Sequence, residues 1–153
     1  MADDDAALGR IEVQVAMLMR LGEATRRSSS RPHRALDRAA YVILRFLQEA
    51  GPQNVSAVAI RLNLDGSTVT RQVGALHRDG LVARSADPVD GRGTVIAATE
   101  RGLAQVDAVS RARQEIYDDV LRDWTAPERL GLAAVLERLT RDMDSYLKGR
   151  GPG

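Results

Sequence analysis

The stretch Asp65 to His77 carries the residue types in this chain that are best spaced for chemistry. At 100° per residue, Val69, Val73 and Leu76 fall within about 60° of one another and are predicted to dock on a core. The opposite side then carries Ser67, Arg71, Gly74 and Arg78, flanked by Thr68 and Thr70. Hydroxyls bond phosphates or base edges, a guanidinium fork bonds guanine through two hydrogen bonds, and a residue without a side chain allows close approach. Such a face suits the major groove of duplex DNA. An ordinary solvated helix face has the same composition, so the surrounding elements must decide.

Other chemistries find little support. The chain has no cysteine, which excludes disulfides, thiolate nucleophiles, Cys-ligated zinc and iron–sulfur clusters. It has no Gly-rich phosphate loop, His33 and His77 are far apart, and Ser28 to Ser30 lack a nearby base. Neither an enzyme nor a cofactor is expected. With one Trp, three Tyr and one Phe, the chain also lacks the stacking platforms that single-stranded nucleic acid requires.

The 153 residues are 44% apolar, enough for one domain with a real core. The net charge is only +1 and names no partner, and nearly all the basic residues are Arg, as a GC-rich genome would produce. Distribution says more, because residues 1 to 25 sum to −3 and residues 26 to 60 to +4. The acidic start and the absence of an apolar run of about 20 residues predict a cytoplasmic protein that does not enter a membrane.

The elements that must position the polar face can be read around it. A helical period from Ala35 through Leu47 stops at Gly51 and Pro52. Ser56 is a plausible N-cap for a short helix to Leu62, Asn63 suits the left-handed residue that ends it, and Asp65 caps the next helix. Two short helices across so tight a turn make a helix-turn-helix, whose second helix can lie in a major groove. Downstream, Gly80 to Ser85 and Thr94 to Ala98 have β character and flank a turn-rich loop from Asp87 to Gly93, predicting a β-hairpin. Arg92 near its tip is placed to enter a minor groove, where negative potential attracts Arg. Asp90 can orient Arg92 or form a surface ion pair with it, and Arg84 is assigned with Asp90 to support of the wing.

In this order of elements the chain resembles the MarR (multiple antibiotic resistance regulator) family of winged-helix transcription factors over nearly its whole length. The likeness rests on Ser56 through Leu81, especially Val58, Ala59, Ser67 to Arg71, Leu76 and Gly80 to Val82. It continues through Asp87, Pro88, Asp90, Arg92, Thr99 and Gly102. The chain departs from the pattern at Gly91, where many members have a basic residue, and at Ala98, where a Leu usually precedes the Thr. The resemblance implies a homodimeric regulator that binds double-stranded DNA and responds to a small ligand. The expected DNA-binding set is Ser56, Ser67, Thr68, Thr70, Arg71, Gly74, Arg78 and Arg92.

The flanks read as dimerisation helices. Residues 7 to 27 carry Leu8, Ile11, Val15, Leu18 and Met19 on one side and Val13, Met17 and Leu21 on the other, so one face should meet its own domain and the other a second subunit. After Gly102, positions 106, 110, 113, 117, 120 and 124 form a heptad-like seam. Thr125 to Glu128 then supplies a capping box for a helix bearing Leu132, Leu136, Leu139, Met143 and Tyr146. Ile11, Val15, Leu18, Leu132, Leu136, Leu139 and Met143 are the expected dimer contacts, and a two-fold axis would hold two recognition helices about 34 Å apart. Arg113 lies mid-seam beside Ser110 and Tyr117, a candidate pocket for an anionic or phenolic effector, with an ion pair to an acidic residue or a solvent-facing stretch of helix as the alternative.

The expected fold is therefore mainly α with a small β-hairpin wing. An N-terminal dimerisation helix and linker (1–34) precede a winged helix-turn-helix (35–100), and C-terminal helices (101–153) complete the dimerisation region. The expected function is sequence-specific repression at a palindromic operator. The rival is a winged helix used for protein contact or as a non-specific architectural DNA-binding protein.

Overall fold

A computed structural model describes residues 2–28, 36–88 and 93–149. The chain begins with α1 (Ala2–Ser28), then α2 (Arg38–Ala50), β1 (Gln53–Asn54), α3 (Val55–Leu62) and α4 (Gly66–Arg78). After these come β2 (Val82–Ala86), β3 (Thr94–Ala98), α5 (Glu100–Val120) and α6 (Ala126–Gly149).

Helix α2 is the centre of the fold. The Asp37 carboxylate accepts from the Ala40 N–H at 2.7 Å and starts it, and Gly51 at φ 73° ends it, a conformation that costs glycine nothing. Its apolar residues at helical spacing, Ala40, Ile43, Leu44 and Leu47, are all buried. Around them close Val58 from α3, Val69, Val73 and Leu76 from α4, Val82 and Ile96 from the sheet, and Val106 and Val109 from α5.

The predicted hairpin is one part of a three-stranded antiparallel sheet in the order β1-β3-β2. Val82 to Ala86 pair with Ala98 to Thr94, while Gln53 and Asn54 pair with Ile96 and Val95. The third strand escaped sequence analysis because two residues show no period. Its presence also corrects the expected cap, since Asn54, rather than Ser56, starts α3 by accepting from the Ser56 N–H at 2.8 Å. Asn54 thus ends a strand and begins a helix. Asn63 does adopt the left-handed conformation, with φ 49° and ψ 46°.

Thr99 joins the wing to α5. Its hydroxyl donates to the Gly80 carbonyl at 2.8 Å and also accepts from the Gly102 N–H at 3.0 Å. A Cβ on Gly102 would collide with the Leu81 carbonyl oxygen, so the two segments pack backbone against side-chain-free backbone.

Two expectations about the flanks need correction. The seam of α5 turns out of the core: Val106 and Val109 are fully buried, Ser110 and Arg113 are half-buried, and Tyr117 and Val120 are exposed. The helix stops at Val120 with Trp124 beyond it, because Arg129 donates to the Leu121 carbonyl (2.7 Å from Nη2) and to Asp118 (3.2 Å) and so satisfies the helix end. In α1, neither apolar face docks on the chain's own core, and Leu8, Ile11, Val13, Met17, Leu18, Met19 and Leu21 are all exposed. Helix α6 has its predicted capping box, Thr125 with Glu128, yet buries no residue.

Candidate nucleic-acid interface

Helix α4 is seated as its apolar period predicts, with Val69 and Val73 fully buried and Leu76 nearly so. Its far face is outward: Ser67, Thr70, Arg71 and Arg78 are exposed, and Thr68 and Gly74 are half-buried. Ser56, on α3, is exposed beside it. The expected contact residues of the helix-turn-helix therefore share one accessible side of the molecule. Arg92 and Asp90 lie outside the described residues.

The N-terminal turn of α4 is tightly tied. Asp65 accepts from the Thr68 N–H at 2.7 Å, the Ser67 hydroxyl at 2.5 Å and the Thr68 hydroxyl at 2.5 Å. The Ser67 bond and then those from Thr68 hold the Asp65 carboxyl far below the usual carboxylate range. It is ionised at any physiological pH, so the two hydroxyls spend their protons on it and turn lone pairs outward.

The arginines divide into two populations. Arg26, Arg38, Arg45, Arg122, Arg129 and Arg138 each lie within salt-bridge distance of an Asp or Glu. Arg71, Arg78 and Arg84 have no such partner among the described residues, and neither do several arginines elsewhere, Arg10, Arg101 and Arg141 among them, so it is their grouping around α4 that sets these three apart. Exposed guanidinium groups left unneutralised on one face make a positive surface with donors to spare for phosphate and base oxygens.

Arg84 reaches from β2 toward α4, and a Cβ built on Gly74 would sit 3.8 Å from its guanidinium. Together with Asn54, Ser56, Thr70 and Thr94 it lines a cleft of about 400 Å³ between helix-turn-helix and wing. Gly74 faces open space otherwise, so nothing in the protein itself demands a glycine there.

Two residues missed by sequence analysis hold this surface. Gln72 is buried in the docking face of α4, and its Nε2 donates to Asp37 at 2.9 Å. His77 is exposed, and its Nδ1 lies 3.1 Å from the Val82 carbonyl, linking the end of α4 to the wing. Neither could be found from periodicity, because their partners are distant or are backbone atoms.

At the candidate effector site, Arg113 stacks over Tyr41 of α2 with its guanidinium carbon 4.0 Å from the ring centroid. That contact gives the half-buried charge an aromatic partner, an arrangement that neither the effector nor the ion-pair expectation included. Tyr117 instead borders a groove of about 520 Å³ with Arg111, Gln114, Glu115, Asp118, Leu121 and Arg129. Ser110 and Arg113 are not part of its lining.

Comparison with known proteins agrees with this geometry. A family model described as MarR family matches residues 36–94. An HTH-type transcriptional regulator of Mycobacterium tuberculosis is 35% identical over 144 residues, covering 94% of this chain and 89% of that protein. The crystal structure of MarR shares the fold with a TM-score of 0.74 at 20% identity, over 91% of this chain and 93% of that one. BpsR of Bordetella bronchiseptica, whose structure concerns regulation of its DNA binding by 6-hydroxynicotinic acid, has a TM-score of 0.58 and 25% identity. That likeness covers 69% of this chain and 75% of BpsR.

Proposed function

The chain belongs to the MarR family of DNA-binding transcriptional regulators, and from that premise we propose that it is a homodimeric repressor that reads a palindromic operator in double-stranded DNA. The carrying observation is the division of α4: valines and leucine in the core, uncommitted Arg71 and Arg78 with Thr70 and Gly74 outside. Arg71 reads a base edge, Ser56, Ser67, Thr68, Thr70 and Arg78 line the same contact, and Arg92 reaches the minor groove from a wing supported by Arg84 and Asp90.

The dimer reading rests on the flanks. Apart from Val42 and Ile60, every large hydrophobic residue left exposed among the described residues lies on α1, α6 or the segment from Tyr117 to Trp124. A monomer would present these stripes to water, whereas a two-fold partner would cover them through Ile11, Val15, Leu18, Leu132, Leu136, Leu139 and Met143. The DNA-bound repressor acts in the cytoplasm, and no helix among the described residues is long and apolar enough to cross a membrane.

An anionic or phenolic effector is the proposed signal, taken by Ser110, Arg113 and Tyr117 when Arg113 leaves the Tyr41 ring. Support comes from the half-buried guanidinium and from similarity to BpsR, a protein with a hydroxylated aromatic acid as its regulator.

Selection of bound duplexes from a random pool tests the reading, repeated with small phenolic acids present. A palindrome preferred over random duplex by on the order of 10³ at physiological salt is expected. Equal affinity for both would instead indicate an architectural protein. Arg71→Ala should cost ~1 to 3 kcal/mol on the selected site and relax base preference at one position in each half-site.

A further inference from the structure

The apolar contacts that seat α4 fix its depth but have little direction. Val69, Val73 and Leu76 make a smooth face, and small rolls of a helix on such a face exchange one van der Waals contact for another. A roll matters at the other side. A group about 6 Å from the helix axis moves about 3 Å in a roll of about 30°, which is the length of a hydrogen bond.

Gln72 supplies direction in the middle of the docking face, where the His77 contact with the Val82 carbonyl holds only the C-terminal end of the helix. It lies on the docking face between Val69 and Leu76, is 9% exposed, and gives its Nε2 proton to Asp37 Oδ2 at 2.9 Å. The other Asp37 oxygen accepts from the Ala40 N–H at 2.7 Å, so the carboxylate is held by the first turn of α2. That helix is itself immobilised by Ile43, Leu44 and Leu47 in the core and by Gln48 donating to Asp107 of α5 at 2.9 Å. A directional, charge-assisted bond thus joins α4 to the helix at the centre of the core.

We propose that the Gln72–Asp37 bond sets the roll of α4 about its own axis and thereby decides which base-pair edges Thr70, Arg71 and Gly74 meet. Gln72 is a positioning residue for sequence choice, since it faces the core and touches no DNA. The proposal rests on the reading of α4 as a duplex-reading helix. It predicts that specificity and general affinity for DNA separate: phosphate contacts tolerate a small roll, whereas base contacts do not.

Asp37 is exposed, so its replacement opens no cavity in the core. Asp37→Ser keeps a side chain that caps α2 but is too short to reach Gln72. Asp37→Asn removes the same charge, keeps the cap, and can re-form the bond with the Gln72 amide flipped to accept. Gln72→Met keeps the bulk and loses the bond.

Each full-length variant is titrated, at one salt concentration, with the best duplex selected by the unmodified protein and with random duplex. Asp37→Ser and Gln72→Met should each lower the ratio of the two affinities about tenfold, with random-duplex affinity within about twofold. Asp37→Asn should leave the ratio within about twofold. Equal ratios for Asp37→Ser and Asp37→Asn would overturn the proposal, as would a parallel loss of both affinities, which marks general loosening. Should Gln72→Met fail to fold, the Asp37 pair decides alone. If the unmodified protein selects no duplex at all, the DNA-reading function fails first, a different result from any of these.

Discussion

Residues 36 to 109 and the two terminal helices obey the same rule of apolar spacing and reach opposite ends. In the first region α2, α3, α4, the sheet and the start of α5 bring their apolar faces together, and Ile43, Leu44, Val58, Val69, Val73, Ile96, Val106 and Val109 are fully buried. In α1 and α6, apolar stripes of the same spacing stay exposed or at most half-buried: Leu18 is 61% exposed and Met143 52%, while Val15, Leu132 and Leu139 are half-buried. One region closes a hydrophobic core within a single chain, and the other leaves its apolar faces uncovered among the described residues. If the proposed second copy covers those faces, their stability should depend on protein concentration where that of the closed core does not.

The sharpest way to break this contrast is to place charge on the flanks. Leu18→Glu with Leu136→Glu should dissociate the dimer while leaving residues 36 to 109 folded. Operator affinity should then fall by on the order of 10² or more as the second half-site is lost, seen by sedimentation and DNA titration. A variant that stays dimeric with unchanged DNA affinity would remove the flanks from the interface.

A smaller effect sharpens the other side. Leu44→Ala deletes a fully buried side chain and should cost about 2 to 5 kcal/mol in urea unfolding, with a loss independent of protein concentration once dimerisation is blocked. Gly74→Ala separates fold from function within one helix. Alanine fits the space and raises helix propensity by up to about 1 kcal/mol, so melting temperature should rise slightly while operator affinity falls. Equal or better DNA binding would show that the glycine is not there for close approach.

The smallest effect concerns pH. Because hydrogen bonds from Ser67 and then Thr68 depress the Asp65 pKa in the folded state, the cap's contribution is present above the ordinary aspartate range. It falls away progressively as pH drops below that range and is gone once pH has fallen through the depressed value. The Thr68 amide resonance should therefore stay constant down through about pH 4, where an unperturbed aspartate titrates. Titration at that ordinary value would contradict the bonded geometry of the turn.

Much of the candidate interface was legible in local pattern. Asp65 as cap, Asn63 as the left-handed residue and the orientation of Ser67, Arg71 and Arg78 all follow from interactions within a few residues. Ser56 was misread as a cap because Asn54, two residues earlier, serves equally well and is fixed in place by pairing with Val95 across the sheet. The contacts of Gln72 with Asp37 and of Arg113 with Tyr41 span long stretches of chain, so spacing gave no hint of either. The seam of α5 was read through residue 124, whereas the helix stops at Val120: a periodic stripe says which side is apolar, not where the helix ends.

The amino-acid sequence by itself determined the helices, their caps, the hairpin and the sidedness of each element, because those depend on backbone bonds and side-chain periods within a few residues. It also determined family membership, since the ordered residues of the helix-turn-helix and wing are a linear pattern. The folded chain alone settled which apolar faces found partners within it, which arginines stayed uncommitted, and how α4 is bonded to Asp37 at the start of α2. Each of these depends on groups far apart in the chain meeting at distances of a few ångströms, and no local period encodes such a meeting.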